Sequence, residues 1–237
     1  MIKKDEKFNE SYYREWLCDR YVFNEERRAI VQFYLKMVLS RKNKIERILD
    51  IGCGYGYFLN ACIESGISEV YGADISNSAI EKSRILKRAK IIQLDFSKEK
   101  SSFESNFFDA VTAFDVIEHV EDDDFFVEEV YRVLKKDGVF FFITPNGDSW
   151  PRDVYMKLIY GRDDPTHINV QGWRHWKDLL EKVGFRGIEI KGSLIHGFPP
   201  TTTLRGKLKG FSTVKPILIP IQFASKILDR LFIFATK

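Results

Sequence analysis

Apolar and polar positions along the chain predict an alternation of helices and strands. Residues 8–45 carry apolar side chains at helical spacing, which predicts two helices before the first strand. Between residues 47 and 190, short apolar runs alternate with amphipathic segments, the pattern of a parallel sheet covered by helices on both faces. A last strand is predicted over 230–237. We therefore expect one α/β domain spanning 1–237.

Two stretches interrupt this alternation. Residues 147–170 contain a short helix pattern and a polar, turn-rich loop, and residues 194–229 show no strand–helix–strand order. We interpret both as substrate-side insertions or a helical lid, beside an N-terminal helical lead-in over 1–45. Segment 201–230 is also basic, with apolar residues interleaved. Such a segment either packs on its own domain as a lid or lies against an anionic membrane surface.

The first predicted strand leads into a turn with glycine at three alternate positions, Gly52, Gly54 and Gly56. Because glycine has no Cβ, these residues let the backbone approach a ligand closely. A helix pattern begins at Tyr57 and would direct its free N–H groups toward the same place. The order of strand, glycine turn and helix predicts a nucleotide pocket.

An acidic residue distinguishes between two kinds of nucleotide. Dinucleotide-binding turns follow G-x-G-x-x-G and hold a pyrophosphate, whereas here Tyr57 stands where the third glycine is expected. Asp50, two residues before the first glycine, would lie close to that pyrophosphate. Two like charges in a partly desolvated site repel by on the order of several kcal/mol. We therefore expect a cationic ligand without phosphate, S-adenosylmethionine, rather than a nicotinamide dinucleotide.

The second predicted strand, Glu69–Asp74, supports a nucleoside ligand. Asp74 lies 22 positions after Gly52, where a carboxylate can accept hydrogen bonds from both hydroxyls of a ribose. The competing interpretation is a turn residue that caps the next helix. That helix is predicted from Ala79 to Lys90, with Ser76 as its N-cap.

Several of these motifs together resemble the class I S-adenosylmethionine-dependent methyltransferases. The stretch from Ile48 to Gly56, ILDIGCGYG, resembles their motif I, and the stretch from Phe108 to Val120, FDAVTAFDVIEHV, resembles the motif after their fourth strand. Residues 134–146 also match this family, and DPTH at 164–167 is similar to the quinone-biosynthesis-like, type 11 branch of small-molecule methyltransferases. This resemblance covers residues 45–190 and, more loosely, the final strand.

The resemblance implies a Rossmann-like fold. Its sheet is seven-stranded and mostly parallel, in the order 3-2-1-4-5-7-6 with the last strand antiparallel, with helices on both faces. It also implies that Asp95 accepts a hydrogen bond from the adenine amino group and that the backbone N–H of Phe96 contacts the ring. The Phe96 side chain lies either against the adenine face or in the core. The complete predicted cofactor site is Asp50, Gly52, Cys53, Gly54, Tyr55, Gly56, Asp74, Ile75, Asp95, Phe96, Phe114, Asp115 and Glu118.

Two histidines are candidates for catalysis. Methylation of an oxygen requires removal of its proton, and histidine titrates in the range that suits this step. His119 directly follows the fourth predicted strand and His167 lies in a polar loop, so both are expected at the carboxyl ends of the strands. For each, the alternative is a loop histidine bonded to the backbone. Glu118 either contacts the cofactor or orients His119, and His175, between two tryptophans, is interpreted as structural.

A metal ion is not expected. The acidic run Asp122–Asp124 is interpreted as the start of a helix, because carboxylates favour that end of the helix dipole. The same helix is predicted to end at Gly138 as its C′ residue. The three cysteines have no metal-like spacing and predict reduced thiols rather than disulfides.

Composition narrows the class of protein only modestly. A hydrophobic fraction of 44% and a charged fraction of 30% are typical of a globular protein, and a net charge of +3 gives little reason to expect nucleic acid as a partner. The first residues lack the apolar segment of a signal peptide, and no apolar run approaches the roughly 18 residues of a membrane span. We therefore expect a cytoplasmic protein, with peripheral membrane contact as the alternative for segment 201–230.

The function predicted from these observations is methyl transfer from S-adenosylmethionine to a small-molecule acceptor. An oxygen acceptor is favoured, on a quinone-like, lipid-linked or sugar-derived molecule. Two other hypotheses remain at this point. One is a catalytically inactive module that binds S-adenosylmethionine, and the other is a nicotinamide-dependent oxidoreductase, which Asp50 and Tyr57 disfavour.

Overall fold

The computed structural model describes residues 8, 12, 25–149, 164–193, 218–220, 228 and 230–237. Apart from residues 8 and 12, the first predicted helix lies outside the described residues. So do the helix predicted within 150–160 and most of the basic segment 201–230.

Helices and strands alternate along the described chain as the apolar pattern predicts. The helices are α1 (Glu25–Leu39), α2 (Tyr57–Glu64), α3 (Asn77–Ser83), α4 (Asp123–Val133) and α5 (Trp173–Val183). The strands are β1 (Arg47–Ile51), β2 (Glu69–Asp74), β3 (Ala89–Gln93), β4 (Phe108–Phe114), β5 (Leu134–Pro145), β6 (Arg186–Ser193), β7 (Leu218–Pro220) and β8 (Arg230–Thr236). A short 3₁₀ helix, Ile117–His119, follows β4.

All these strands join in one sheet of order β3-β2-β1-β4-β5-β8-β6-β7. Strands β1 to β5 pair in parallel, whereas β8 runs antiparallel to both of its neighbours, β5 and β6. The three-residue β7 adds an antiparallel edge to β6, which the sequence did not indicate. If the short β7 is left out and β8 is counted as the seventh strand, the order is 3-2-1-4-5-7-6 with the last strand antiparallel. The predicted fold class is therefore confirmed.

The sheet separates two apolar cores. One core contains Phe126 of α4 and Trp176 of α5, and the other contains Tyr34 of α1 and Leu59 of α2. Successive residues of β5 alternate between them, because side chains along a strand point to opposite faces. Phenylalanines 140 and 142 belong to the first core and phenylalanine 141 to the second. The unusual number of phenylalanines therefore serves mainly to fill the space between sheet and helices.

Two element ends differ from the sequence prediction. Helix α3 begins after Ser76, whose side chain accepts a hydrogen bond from the Ala79 N–H, but the helix ends at Ser83 rather than Lys90. Helix α4 ends at Val133, and the chain passes directly into β5. The residue with left-handed backbone there is Asp137, at φ 59°, so Gly138 is not the C′ residue of the helix.

Candidate functional site

The glycine turn lies at the carboxyl end of β1 and is fixed by hydrogen bonds to β2. The N–H groups of Gly52 and Cys53 both donate to the Ala73 carbonyl, at 2.7 and 3.1 Å. Gly52, Gly54 and Gly56 have φ values of 69°, 51° and 79°, a left-handed backbone that glycine adopts without steric cost. A Cβ at Gly52 would also lie 2.3 Å from Cγ2 of Val116. Both conformation and space therefore require glycine at this position.

Asp74 connects the glycine turn to the start of α3. One carboxylate oxygen accepts a hydrogen bond from the Gly54 N–H and the other from the Ser76 N–H, each at 2.8 Å. Burial raises the pKa of Asp74, and these N–H groups offset part of that effect. Each oxygen keeps a second lone pair that can accept a further hydrogen bond. Asp74 therefore bonds the backbone before α3, as the turn interpretation expected, and its contact with a ribose stays a prediction.

Asp50 is the most perturbed acid of the turn. Its side chain is 3% exposed, and its Oδ1 accepts a hydrogen bond from the Thr112 hydroxyl at 2.7 Å. Burial raises the pKa of the Asp50 carboxyl to about 7 although the Thr112 bond opposes this. The carboxyl is therefore near its titration midpoint at neutral pH, and a cation beside it would favour the charged form.

The predicted adenine contacts lie after β3. Oδ1 of Asp95 accepts hydrogen bonds from the backbone N–H and the hydroxyl of Ser97, at 3.1 and 2.6 Å. The Phe96 side chain is 2% exposed and packs near Phe126 in the core, with 6.2 Å between ring centroids. The core alternative considered for the Phe96 ring is therefore the one present, and the contact of its backbone N–H with an adenine ring stays a prediction.

The other predicted cofactor residues surround the same edge of the sheet. Cys53 is buried, and burial raises the pKa of its thiol well above the usual value. The Ile75 carbonyl accepts a hydrogen bond from Gln93 at 3.2 Å, and the Tyr55 hydroxyl accepts one from Lys82 at 3.1 Å.

The last residue of β4, Phe114, and the residue after it, Asp115, have different environments. The Phe114 ring lies 4.9 Å from the rings of both Tyr34 and Phe58. The next residue, Asp115, has a left-handed backbone with φ 57°, and its carboxylate forms an ion pair with Arg230 at the start of β8. The sequence placed Arg230 in the basic segment and at the start of the last strand, without a role at the site. The antiparallel insertion of β8 beside β5 is what brings it to this edge.

The 3₁₀ helix after β4 holds the loop that carries His167. Glu118 is 1% exposed, and its side chain accepts a hydrogen bond from the Thr144 hydroxyl at 3.2 Å. Its backbone carbonyl accepts hydrogen bonds from the N–H groups of Ile168 and Asn169, both at 2.9 Å. As a result the two candidate histidines are adjacent, with 4.9 Å between the ring centroids of His119 and His167.

A backbone contact determines the tautomer of the His119 ring. Its Nδ1 lies 3.0 Å from the Thr166 carbonyl oxygen. A carbonyl oxygen can only accept, so Nδ1 carries the hydrogen, and Nε2 of the neutral ring is an acceptor. His119 is thus bonded to the backbone, as the alternative interpretation expected. The same bond leaves Nε2 as the nitrogen that can take a proton.

Two residues of the N-terminal segment approach the same histidine. The rings of Phe8 and Tyr12 lie 5.2 and 6.5 Å from the His119 ring. The Tyr12 hydroxyl donates a hydrogen bond to Oδ2 of Asp164 at 3.1 Å, across 152 positions of sequence. Sequence reasoning missed Tyr12, since no local motif marks a contact over that distance.

Three side chains could hold a metal ion, a group we call the histidine cluster: Glu118, His119 and His167. Each offers one ligand atom, and these atoms lie within 4.8 Å of one another. A tetrahedral ion with bonds of about 2.1 Å brings its ligand atoms to roughly 3.4 Å apart, a spacing that lies inside this limit. The prediction that no metal is used is therefore one to be tested.

The remaining polar residues singled out from the sequence support the helices. Asp122 caps α4 by accepting a hydrogen bond from the Phe125 N–H at 2.9 Å. Nε2 of His175 lies 2.7 Å from an Asp123 oxygen, and its ring packs 4.9 Å from that of Trp176. These contacts join the first turns of α4 and α5, in agreement with structural roles for the acidic run and for His175. Among the described residues, no helix combines the length and apolar character that crossing a bilayer requires.

The fold is that of Rossmann-like methyltransferases. A SAM-dependent methyltransferase from Archaeoglobus fulgidus superposes with a TM-score of 0.67 at 22% identity, covering 95% of this chain and 100% of that one. Phosphoethanolamine N-methyltransferase 2 of Haemonchus contortus, solved with S-adenosyl-L-methionine, superposes with a TM-score of 0.60 at 18% identity, covering 94% of this chain and 59% of that one. At these identities the likeness concerns the fold.

Sequence comparison identifies the family. Residues 20–190 match a family model described as a methyltransferase domain. The chain belongs to this methyltransferase family, and the class predicted from its motifs is confirmed. A ubiquinone biosynthesis O-methyltransferase of Neisseria meningitidis serogroup A is 28% identical over 173 residues, covering 67% of this chain and 71% of the relative. The enzyme of that name from Pelagibacter ubique is 32% identical over 102 residues, covering 42% of each chain.

Proposed function

We propose that the protein transfers a methyl group from S-adenosylmethionine to a hydroxyl oxygen of a small-molecule acceptor. The family match and the names of the relatives support methyl transfer to oxygen, with a quinone-like acceptor as first choice and lipid-linked or sugar-derived ones as alternatives. The observation that carries the proposal is the His119 ring, held by its Nδ1 hydrogen with Nε2 as the acceptor. A proton acceptor is needed for an oxygen nucleophile.

The glycine turn suits the cofactor on physical grounds. At Gly52 the backbone is left-handed and a Cβ would collide with Val116, so the glycine turn lies closely against the segment that follows β4. Asp74 would accept hydrogen bonds from the ribose, and Asp50 would balance the positive charge. When bound, S-adenosylmethionine supplies an electrophilic methyl group.

The contribution of the protein is orientation and proton removal. Holding an acceptor oxygen in line with the methyl group can supply on the order of 7–11 kcal/mol. His119 would take the hydroxyl proton on Nε2 as the oxygen–carbon bond forms, and a positioned base typically contributes about 10²- to 10⁴-fold. The resulting imidazolium keeps its Nδ1 hydrogen bond to the Thr166 carbonyl, so no rearrangement of the ring is required.

Calorimetry with S-adenosylmethionine, S-adenosylhomocysteine and NADH tests the cofactor. We expect binding of the first two and none of NADH. The reverse result would contradict the proposal and favour an oxidoreductase. Incubation of a cell extract with the protein and methyl-labelled donor then tests transfer. Labelling of a small molecule is expected, whereas cofactor binding without any labelled product would indicate an inactive binding module.

Two histidine variants test the base. His119→Ala should lose at least about 100-fold in turnover while S-adenosylhomocysteine binding stays within twofold. His175→Gln is the matched control, because that histidine contacts α4 and belongs to neither the turn nor the histidine cluster. Full turnover in His119→Ala would show that another group accepts the proton or that positioning alone suffices.

A further inference from the structure

A chain of hydrogen bonds leads from the N-terminal segment to the candidate base. The Tyr12 hydroxyl donates to Oδ2 of Asp164 at 3.1 Å. The other oxygen of that carboxylate accepts from both the backbone N–H and the hydroxyl of Thr166, at 2.8 and 2.6 Å. The Thr166 carbonyl in turn accepts from Nδ1 of His119 at 3.0 Å. Four residues from three separate parts of the chain are therefore joined in one path.

Asp164 is the central member of this path. Asp164 and Thr166 are 7% and 5% exposed, so their polar atoms depend on each other rather than on bulk water. Oδ1 holds the turn through its two bonds to Thr166, and in the same turn the His167 N–H donates to the Asp164 carbonyl at 3.1 Å. Oδ2 faces Tyr12 at 3.1 Å and Nε2 of His167 at 3.8 Å. Removing the Tyr12 hydroxyl would leave His167 as the neighbour of Oδ2 and allow the carboxylate to turn toward it.

The aromatic rings of the same segment add a second constraint on the base. Phe8 and Tyr12 contact each other edge to face at 5.0 Å between centroids, and both meet the His119 ring nearly at right angles, at 82° and 85°. Burial raises the pKa of Tyr12 well above its usual range, which keeps its hydroxyl a neutral donor. The ring of Tyr12 thus contacts His119 at the far end of the path, while its hydroxyl bonds Asp164 at the centre.

We infer that Tyr12 is a positioning residue for His119, acting through Asp164 and Thr166 to keep the hydrogen on Nδ1, so that Nε2 is the proton-accepting nitrogen of the ring. This role rests on the proposed function of His119 as the base. The inference gives Tyr12, a residue of the N-terminal lead-in, a part in the reaction. Without the Tyr12 hydroxyl, the Asp164 carboxylate loses one of the hydrogen bonds that hold it against Thr166, and the constraint on the tautomer of His119 weakens.

Kinetics of Tyr12→Phe test the inference, since this change removes one oxygen and keeps the ring. With the acceptor isolated from the labelled extract, we expect kcat to fall about 10-fold, a fraction of the effect of losing a base entirely. The acceptor KM and the S-adenosylhomocysteine affinity should stay within twofold. Tyr131→Phe, on α4 against Phe185, is the matched control and should keep wild-type kinetics. An unchanged kcat in Tyr12→Phe would overturn the role of Tyr12.

A spectroscopic measurement separates this inference from the proposed function. Nitrogen-15 NMR of the histidine side chains reports the tautomer of each ring, and the spectrum of His119→Asn identifies the signals of His119. We expect the Nδ1-protonated form in the wild-type protein and a mixture of tautomers in Tyr12→Phe. An unchanged tautomer in that variant would refute the positioning role. Absence of any methyl transfer by the wild-type protein would instead refute the proposed function.

A double-mutant cycle tests the route through Asp164. If Tyr12 acts through this carboxylate, Asp164→Asn and Tyr12→Phe should each lower kcat, and the double variant should lose little more than the stronger single one. If the two substitutions instead lower kcat independently, so that their effects multiply, the route through Asp164 is contradicted. If circular dichroism shows that Asp164→Asn is unfolded, the tautomer of His119 in Tyr12→Phe decides whether Tyr12 positions the base.

Discussion

The buried carboxyl of Asp50 makes a quantitative prediction about stability and pH. In the unfolded chain its pKa is near 3.8, and burial in the folded protein raises it to about 7. Between these values the folded state holds a proton that the unfolded state has released. The free energy of unfolding therefore falls as the pH rises through this range. Below pH 4 the carboxyl is neutral in both states and the cost disappears, whereas above pH 7 the full cost is present.

The perturbation is Asp50→Asn, which keeps an oxygen to accept the Thr112 hydrogen bond and removes the charge. At about 1.4 kcal/mol per pKa unit, the wild-type carboxyl should lose about 3 kcal/mol of stability between pH 4.5 and pH 8. The amide adds a cost for its buried NH₂ group, but that cost does not vary with pH. The difference in unfolding free energy between the two proteins should therefore change by about 3 kcal/mol across the range in favour of the variant.

Urea denaturation at four or five pH values measures this difference. Other acids contribute opposite slopes, since ion pairs and hydrogen bonds lower the pKa values of Asp109 and Glu129 despite their burial. Subtracting the wild-type curve from the variant curve cancels them. Asp178→Asn, an exposed acid of α5, is the control and should give a flat difference. A flat difference for Asp50→Asn as well would refute the assignment of a raised pKa to this carboxyl.

Three further predictions concern the glycine turn and the histidine cluster. Gly52→Ala should destabilise the protein by about 2–4 kcal/mol in urea denaturation, because the alanine would have a strained left-handed backbone and would collide with Val116. Gly66→Ala is the comparison: its φ is 88° but the space around it is open, so it should show only the strain of about 1–2 kcal/mol. Equal losses of stability in the two variants would contradict this prediction. Asp74→Ala should weaken S-adenosylhomocysteine binding at least about 10-fold by calorimetry, because charge-assisted hydrogen bonds contribute about 1.5–3 kcal/mol each; unchanged affinity would rule out the ribose contact. Turnover should persist after treatment with a chelator, and a loss that divalent ions restore would replace the base with a metal at the histidine cluster.

The parts of the site that could be predicted from sequence are those set by local geometry. The spacing of Gly52, Gly54 and Gly56 marks a turn because each residue must adopt a left-handed backbone, and the structure places all three there. The strand order followed from resemblance alone, since nothing in a single apolar run says which strand is its neighbour.

Other features depend on contacts between distant parts of the chain. The tautomer of His119 follows from a carbonyl 47 positions away, and the hydrogen bond of Tyr12 spans 152 positions. The sequence predicted a partly desolvated site for Asp50, but its hydrogen bond to Thr112 spans 62 positions and belongs to no local motif. The error at Gly138 has a local cause. Asp137 takes the left-handed position itself, a conformation that aspartate adopts more readily than most side chains.

The pairing of Ser193 with Arg230 has a consequence for how such an enzyme can diversify. Strand β6 ends at Ser193 and β8 begins at Arg230, and these two residues are directly paired, while β7 of the segment between them pairs along the other side of β6. Both residues lie at the carboxyl edge of the parallel strands, since Arg230 pairs with Pro145 at the end of β5. Since the entropy of closing a loop rises only slowly with its length, we expect that this segment can be exchanged, lengthened or shortened while β6 and β8 keep their pairing. This segment was predicted to lie on the substrate side, so we expect its exchange to change acceptor preference while the half of the domain that carries the glycine turn stays the same.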